Sequence, residues 1–337
     1  MASPSHMWRS MSDNAHVASL AGNPTRVIDV VLSGDRRVLW GLAVTGRSAL
    51  ESTSAKLNIH ILETGFTGRD KNDLVRSWKH PMCGSISFYN VPSEDLRKFR
   101  STRYLKSKSA YSRYFLSMLP SEARRCIYLD ADLLVLRDLA ECRDPSPNAI
   151  VAAVPDVSVR TREAWPELRA RLNLVDELRY FNSGVLIINL EAWRDQQIEA
   201  ELIKTSIEKF DILDSQDQDA LNIVLHDKVD LIDVSWNVSQ YERPMPMDGN
   251  IVHLIGSVKP WHSRYSRKQS DPYFTNHVSR KFFEFLDRTA YAGRRPAQLA
   301  GLAMFIEQIN AWMPTRDMLF GKIRRHFRSL SSRIARP

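Results

Sequence analysis

The chain has 337 residues, of which 43% are hydrophobic and 26% charged, so it is long enough and apolar enough to fold around a sizeable core. Its three cysteines include no C-x-x-C pair, so the sequence gives no sign of a zinc cluster. An odd number of cysteines cannot form a full set of disulfides, and this predicts a reducing compartment. Most of the net charge of +8 comes from residues 314–337, which contain seven basic residues and one acidic residue. Because the rest of the chain is close to neutral, this distribution argues against a general nucleic-acid-binding surface.

The hydrophobic pattern predicts strands and helices that alternate along most of the chain. A β-branched run at 27–32 predicts the first buried strand, and a helix is predicted over 39–49. Further strands are predicted at 57–62, 85–89, 126–129, 150–154, 185–189, 229–234 and 251–254, and further helices over 69–79, 93–101, 108–119, 196–210 and 217–226. This order predicts an α/β fold with a mostly parallel sheet covered by helices on both faces.

We expect three segments along the chain. Residues 1–26 begin like a cloning remnant and predict a tag or flexible segment, and 27–275 predict one compact domain. Residues 276–337 predict a helical, basic C-terminal segment.

Two carboxylates, Asp130 and Asp132, follow the apolar run 126–129 and precede a second apolar run at 133–136, in a stretch that otherwise predicts a buried strand. Burying a carboxylate without a partner is unfavourable, and a divalent cation at the carboxyl end of a strand would make such a pair tolerable. Oxygen ligands of this kind suit Mg²⁺ or Mn²⁺. Taken alone, the pair is weak evidence, because a solvated turn or a helix cap explains such a pair more often than a metal site does.

Three further motifs accompany Tyr128–Leu133. They are Tyr180–Leu190 running into Trp193-Arg194, Gln216–Asn222, and His253–His262. In order and spacing, over about residues 27 to 265, the four motifs resemble glycosyltransferase family 8, whose members are retaining enzymes that use nucleotide-sugar donors. Within the family, the motifs resemble those of bacterial lipopolysaccharide α-galactosyl- and α-glucosyltransferases. The resemblance implies a GT-A type, Rossmann-like nucleotide-binding fold, with 27–275 as the catalytic domain.

The chemistry of such a reaction explains the acidic pair. A nucleoside diphosphate gathers negative charge as it leaves, so a cation must be held against it. Asp130 and Asp132 supply carboxylate oxygens and His253 an imidazole nitrogen, a mixed set that favours Mn²⁺ and leaves Mg²⁺ as the alternative. His253 alone could instead be a hydrogen-bonded structural histidine.

The resemblance also implies residues that bind the donor. Gly256 would let the backbone approach the phosphates, and Lys259 would place a positive charge beside the departing diphosphate, the alternative being a solvated lysine. Arg113 matches an arginine directed at the donor, the alternative being an arginine on a helix surface. The other positions assigned to the donor site are Asp35, Ala131, Asp156 and Asn182.

Asp217 and Gln218 match the pair that lies against the donor sugar in the family. Because an amide is a poor nucleophile, Gln218 favours front-face attack, in which the departing phosphate accepts the proton of the acceptor hydroxyl. Gln218 would then stabilise the oxocarbenium-like sugar, and Asp217 is the fallback nucleophile for double displacement. Alternatively, these side chains and Asp219 cap a helix, with Asp219 in solvent.

The segment after the first strand departs from the family. Relatives usually show Asp-x-Asn-Tyr there, with the tyrosine stacked on uracil, whereas Asp35 is followed here by Arg36, Arg37 and Val38. An arginine can stack on a base. The sequence therefore leaves uracil and guanine both open.

The C-terminal tail has an amphipathic pattern. Apolar residues recur at spacings of three and four among basic and polar ones: Leu319, Phe320, Ile323, Phe327, Leu330 and Ile334. This predicts a basic helix lying on an anionic membrane surface, the alternative being a helix that docks on the main domain.

We therefore expect a Mn²⁺-dependent retaining glycosyltransferase that is cytoplasmic and peripheral on the inner face of the plasma membrane. It would transfer galactose or glucose from UDP-galactose or UDP-glucose to a hydroxyl of a lipid-linked bacterial glycan such as the lipopolysaccharide core. The alternatives are a self-glucosylating enzyme like glycogenin, a catalytically silent nucleotide-sugar-binding protein of the membrane surface, and a metal-dependent nucleotidyltransferase. No nucleic-acid partner is expected.

Overall fold

The computed structural model describes residues 26–100, 108–160, 163–174, 179–239, 247–256, 259–262 and 277–296. The predicted flexible segment at the N-terminus, apart from residue 26, and the predicted basic helix within 314–337 lie outside these described residues. In the described part of the chain, none of the helices has the length and apolar character needed to cross a membrane.

Ten strands and nine α-helices are formed by the described residues. The strands are β1 (Val27–Asp35), β2 (Lys56–Thr64), β3 (Cys83–Asn90), β4 (Arg125–Leu129), β5 (Leu133–Val135), β6 (Val151–Pro155), β7 (Phe181–Asn189), β8 (Val229–Leu231), β9 (Val238–Ser239) and β10 (Ile251–His253). The α-helices are α1 (Leu39–Ser52), α2 (Gly68–Ser77), α3 (Ser93–Arg97), α4 (Val157–Arg160), α5 (Trp165–Leu172), α6 (Leu190–Asp195), α7 (Ile198–Glu208), α8 (Asp217–Leu225) and α9 (Ser279–Leu286).

The central sheet has seven strands in the order β3-β2-β1-β4-β7-β6-β8. The strands from β3 to β4 are parallel to one another, β7 runs antiparallel to β4 and β6, and β6 is parallel to β8. The prediction of an α/β fold with a mostly parallel sheet is confirmed. Because β7 runs opposite to β4, Val185 pairs with Leu129, and the first residues of β7 lie beside the carboxyl end of β4.

Apolar side chains cover both faces of this sheet. On one face, α1, α2 and α9 pack over β1, β2 and β4, with Leu42, Leu74 and Phe282 fully buried. On the other face, α6, α7 and α8 pack over β4, β6 and β7, with Trp193 and Leu221 buried. The carboxyl ends of the central strands remain as the edge at which polar side chains gather.

The prediction of a single helix over 108–119 is wrong in detail. The segment forms two 3-10 helices, Lys108–Tyr114 and Leu116–Met118. A 3-10 helix brings residues three apart onto one face, and the rings of Tyr111 and Tyr114 both pack in this way against Phe99, two residues after α3. Burial of these large rings therefore decides the local conformation, and helix propensity does not.

A small second sheet, in the order β5-β10-β9, carries part of the site. The backbone N–H and carbonyl groups on the other edge of β5 form hydrogen bonds with side-chain hydroxyl groups of α1. The Thr45 hydroxyl donates to the Leu133 carbonyl at 3.1 Å and accepts from the Leu133 N–H at 3.2 Å, and the Val135 N–H donates to the Ser48 hydroxyl at 3.0 Å. These buried hydrogen bonds fix β5, and with it the preceding loop, against α1.

Candidate active site

The loop of residues 130–132 joins β4 to β5 and is held by backbone hydrogen bonds on both sides. The Asp130 N–H donates to the Gly184 carbonyl at 2.8 Å, and the Asp132 carbonyl accepts from the Leu254 N–H at 2.9 Å. Residues from three separate parts of the chain therefore meet at this loop.

Ala131 lies between the two carboxylates and faces the start of α1. A side chain at Gly41 would collide with the Ala131 carbonyl, so only a glycine lets the helix approach the loop so closely. The close approach holds the backbone between Asp130 and Asp132 in place.

The predicted ligand set comes together at this loop. His253 pairs with Leu133 across β10 and β5, which places its ring beside Asp132. The His253 Nε2 atom lies 3.3 Å from Asp132 Oδ1 and 3.9 Å from Asp130 Oδ2, and one ligand atom from each of the three residues lies within 4.8 Å of the others. Two carboxylates and an imidazole are a suitable donor set for a divalent cation.

The remaining carboxylate oxygens are occupied by other groups. Asp130 Oδ1 accepts from Arg113 Nη2 at 2.7 Å and from the Tyr128 hydroxyl at 2.9 Å. Asp132 Oδ2 accepts from the Lys259 ammonium group. One oxygen of each carboxylate is therefore hydrogen-bonded to these partners, and the other oxygen lies toward His253.

Electrostatics keep Asp132 charged despite its surroundings. Burial opposes the charged form, but the positive charge of the Lys259 ammonium group is the strongest of the effects that outweigh burial and hold the pKa of the Asp132 carboxyl well below its usual range. The carboxylate is therefore available as a ligand throughout the neutral range of pH.

Arg113 bridges two acids from opposite sides of the site. Its guanidinium donates to Asp130, lies 3.1 Å from Asp217 Oδ2 through Nε, and donates to the Ser183 carbonyl at 2.9 Å. Its side chain is 8% exposed, so the alternative of an arginine on a helix surface is wrong. Burial disfavours its charge, yet Asp130 and Asp217 raise the pKa of Arg113 above its ordinary value.

A second polar group lies beside the predicted metal ligands, at the start of β7. Gln218 Nε2 donates to Asp156 Oδ2 at 3.0 Å, and Asn182 Nδ2 donates to the same oxygen at 3.1 Å. The Gln218 carbonyl oxygen accepts from the Ser183 N–H at 3.2 Å. Asp156, Asn182 and Ser183 are buried and Gln218 is partly exposed, and the structure brings the predicted sugar-contacting residues into one hydrogen-bonded group.

Asp217 and Asp219 open α8, and both are buried. Burial raises the pKa of Asp217 to about 6, against the attraction of Arg113. Asp219 is fully buried and accepts from the Tyr180 hydroxyl at 2.5 Å and from the Ser215 N–H at 2.8 Å. The alternative that Asp219 lies in solvent is therefore wrong, because its carboxylate is buried and accepts hydrogen bonds from the loop that precedes α8.

Lys259 and Gly256 follow β10. Lys259 forms an ion pair with Asp132 and donates to the Leu254 carbonyl, so it is not a solvated loop lysine. Gly256 has a φ of +99°, in the region that favours glycine, which explains the residue type at this position.

Asp35 lies at the end of β1, where it caps a short 3-10 helix. Its carboxylate accepts from the Arg37 N–H at 2.9 Å and forms an ion pair with the Arg37 guanidinium at 2.7 Å. Val38 packs against the core and not into an open site. The end of β1 therefore supplies a carboxylate, and the 3-10 helix that follows supplies an exposed arginine.

Three contributors were missed by the sequence analysis as site residues. The Tyr128 hydroxyl binds Asp130, the Tyr180 hydroxyl accepts from Gln218 Nε2 at 3.1 Å, and Asn237 contacts His253. The tyrosines lie inside the quoted motifs and could have been found by their position beside the polar residues. Asn237 follows a tryptophan in an irregular segment, and no local pattern indicates its role.

Comparisons with known proteins agree with this geometry. The profile of glycosyl transferase family 8 matches residues 29–264. General stress protein A of Bacillus subtilis is 34% identical over 254 residues, covering 69% of this chain and 78% of that protein. Lipopolysaccharide glucosyltransferase WaaO of Escherichia coli is 28% identical over 255 residues, covering 70% and 73%. A crystal structure of the galactosyltransferase LgtC with donor and acceptor sugar analogs has a TM-score of 0.65 at 24% identity, covering 78% of this chain and 96% of that one.

The fold and the site define a glycosyltransferase of the GT-A type, built to accept a nucleotide-sugar donor, a glycan acceptor and a divalent metal ion. The chain belongs to glycosyl transferase family 8. The resemblance that the four motifs indicate is thereby confirmed, and so is the expectation of a retaining glycosyltransferase.

Proposed function

We propose that this protein transfers an α-linked hexose, galactose or glucose, from a UDP-sugar to a hydroxyl of a lipid-linked bacterial glycan such as the lipopolysaccharide core. The observation that carries the proposal is the convergence of Asp130, Asp132 and His253 beside the hydrogen-bonded group of Asp156 and Gln218. A nucleotide-sugar requires positive charge beside its diphosphate and polar side chains beside its sugar. The first group would hold the cation, and the second would bind the sugar. The name of the WaaO relative supports a hexose and a lipopolysaccharide acceptor.

The metal would be Mn²⁺, held by Asp130, Asp132 and His253, and when bound it would supply positive charge to neutralise the diphosphate. Lys259, within reach of Asp132, would contribute a second positive charge at the same place. Arg113 keeps Asp130 oriented through Nη2 and is directed at the same edge of the site. Gly256 would let the backbone come close to the phosphates.

The sugar would lie against Asp156, Asn182 and Gln218. Asp217 is ion-paired through Oδ2 to Arg113, so its charge is engaged, and the amide of Gln218 is a poor nucleophile. These two features favour front-face attack, in which the leaving phosphate accepts the proton of the acceptor hydroxyl. Trapping a glycosyl adduct on Asp217, located by peptide mass spectrometry, would establish double displacement instead.

The base would be uracil, bound at the end of β1. Asp35 would accept from the base, and the exposed Arg37 would stack on its face in place of the tyrosine of relatives. Thermal shifts with UDP and GDP in the presence of Mn²⁺ distinguish the two bases. A larger shift with GDP would contradict the assignment.

The basic segment within 276–337 would hold the enzyme on the inner face of the plasma membrane, beside a lipid-linked acceptor, with 27–275 as the catalytic domain. The support is the amphipathic spacing of the tail, and each basic residue near an anionic surface contributes about 1 kcal/mol. Deleting residues 314–337 should abolish sedimentation with anionic liposomes and leave UDP release unchanged. Equal sedimentation of both proteins would refute the membrane role.

The test of the activity is release of UDP from UDP-galactose and UDP-glucose with Mn²⁺, with and without purified lipopolysaccharide core. We expect release that requires Mn²⁺ and is stimulated by the acceptor. Asp132→Asn should lower the rate at least about a hundredfold, while Asp227→Asn, on the exposed surface, serves as the matched control. No release from either donor would refute the proposal, and growth in the mass of the protein itself would favour self-glucosylation.

A further inference from the structure

Asn237 lies between a metal ligand and the sugar end of the site, and neither the motifs nor the family resemblance assigns it a role. It follows the 3-10 helix at Val234–Trp236 and is 5% exposed. Its side-chain oxygen lies 2.9 Å from His253 Nδ1, and its side-chain nitrogen donates to Asn182 Oδ1 at 2.8 Å. A buried amide with both ends bonded has only one satisfactory orientation.

The orientation can be derived from a group whose donor role is certain. The backbone N–H of Gly184 donates to Asn182 at 2.9 Å, so the Asn182 atom that it contacts is the carbonyl oxygen. The Asn237 atom that contacts the same oxygen must then be the amide nitrogen, and the atom facing the histidine must be the Asn237 oxygen. An oxygen only accepts, so the proton of this hydrogen bond is carried by His253 Nδ1.

The tautomer decides what the other ring nitrogen can do. In a neutral imidazole with its proton on Nδ1, Nε2 carries a lone pair. That lone pair is turned toward Asp132 Oδ1 at 3.3 Å and Asp130 Oδ2 at 3.9 Å. Nε2 and the two carboxylate oxygens are all electron-rich, so they repel one another unless a cation lies between them. Atoms that converge in this way are what a set of metal ligands requires.

The ring has little freedom to turn away from this position. A Cβ on Gly184 would collide with the His253 ring, so the glycine forms a flat surface against which the imidazole packs. Packing on one side and the Asn237 hydrogen bond on the other fix both the plane of the ring and its tautomer.

We propose that Asn237 is a positioning residue that fixes the Nδ1–H tautomer of His253 and so presents Nε2 to the divalent cation held with Asp130 and Asp132. The inference rests on the proposed metal-dependent function. The same amide contacts Asn182, which connects the metal ligand to the hydrogen-bonded group of Asp156 and Gln218. Orientation at the metal and at the sugar thus depends on one shared side chain.

Two substitutions separate the two contacts. Asn237→Asp keeps an acceptor for the His253 Nδ1–H and removes the donor to Asn182. Asn237→Leu has nearly the same shape and removes both contacts. The readouts are the affinity for Mn²⁺ alone, measured by electron paramagnetic resonance, and the ring ¹⁵N shifts of His253 in the metal-free protein, assigned with His253→Gln.

We expect Asn237→Leu to weaken Mn²⁺ binding about 10- to 100-fold and Asn237→Asp to change it less than about threefold. The metal-free wild type should show the Nδ1–H tautomer, and Asn237→Leu should lose it. An Nε2–H tautomer in the wild type would overturn the inference without any substitution, even if the leucine variant fails to fold. Equal Mn²⁺ affinity of the leucine variant and the wild type would overturn it as well.

The outcomes also distinguish this inference from the proposed function. If the wild type binds Mn²⁺ through the Nδ1–H tautomer and releases no UDP from any UDP-sugar, the proposed function fails and the role of Asn237 stands. If UDP release depends on Mn²⁺ and both variants bind Mn²⁺ like the wild type, only the role of Asn237 fails.

Discussion

The protonation of Asp217 should make the stability of the protein depend on pH in a way that one substitution removes. Burial raises the pKa of Asp217 from about 3.8 to about 6, and the attraction of Arg113 only partly opposes it. Between these two values the native protein holds a proton that the unfolded chain has released, so the free energy of unfolding falls as the pH rises through this window. The full effect corresponds to about 3 kcal/mol, at 1.36 kcal/mol for each pH unit.

Asp217→Asn removes this titration and keeps the shape of the side chain. Relative to the wild type, the variant should become more stable by about 2 kcal/mol between pH 4.5 and pH 7.5, because most of the window lies between these values. Urea unfolding in metal-free buffer at both pH values measures the difference, with Asp227→Asn on the exposed surface as the control. If the wild type gained stability relative to Asp217→Asn as the pH rises, the ion pair with Arg113 would dominate over burial, and the reasoning would be refuted.

Two further predictions concern the backbone around the proposed metal site. Gly184→Ala places a methyl group against the His253 ring and should weaken Mn²⁺ binding at least about tenfold, as measured by titration; Gly68→Ala, where the added atom meets open space, should bind Mn²⁺ like the wild type. Thr45→Val removes both hydrogen bonds to Leu133 and should lower the free energy of unfolding, measured in urea, by about 1–3 kcal/mol; a loss below about 0.5 kcal/mol would contradict the view that these two hydrogen bonds hold β5 against α1.

Much of the fold and part of the site could be predicted from the sequence because they depend on local pattern. Apolar runs of strand length predicted where most strands lie along the chain. Asp130, Asp132 and His253 were recognisable because the motifs that contain them occur together in the order and spacing of the family, whereas each residue alone has common structural explanations. The conformation of 108–119 was mispredicted because it depends on where aromatic rings are buried, which requires the rest of the fold. The role of Asn237 could not be predicted, since an asparagine in an irregular segment has no distinguishing pattern.

The donor side of the site also shows what sequence patterns leave out. Asp35 could be located at the end of the first strand, but its pairing with Arg37 follows from the tight 3-10 turn that begins there. Likewise Arg113 could be matched to the family, but its bridge between Asp130 and Asp217 depends on the packing of three separate segments. Contacts of this kind are properties of the tertiary structure.

The segment Asn182-Ser183-Gly184 at the start of β7 has a consequence for how this enzyme could be altered. Each of its residues has different partners. Asn182 accepts a hydrogen bond from the Asn237 side chain, Ser183 is hydrogen-bonded to Arg113 and Gln218, and Gly184 packs against the His253 ring. In a saturation mutagenesis library, we expect these consecutive positions to tolerate almost no replacement. A change of sugar preference should therefore be sought at positions outside this segment, because a substitution within it would disturb several partners together.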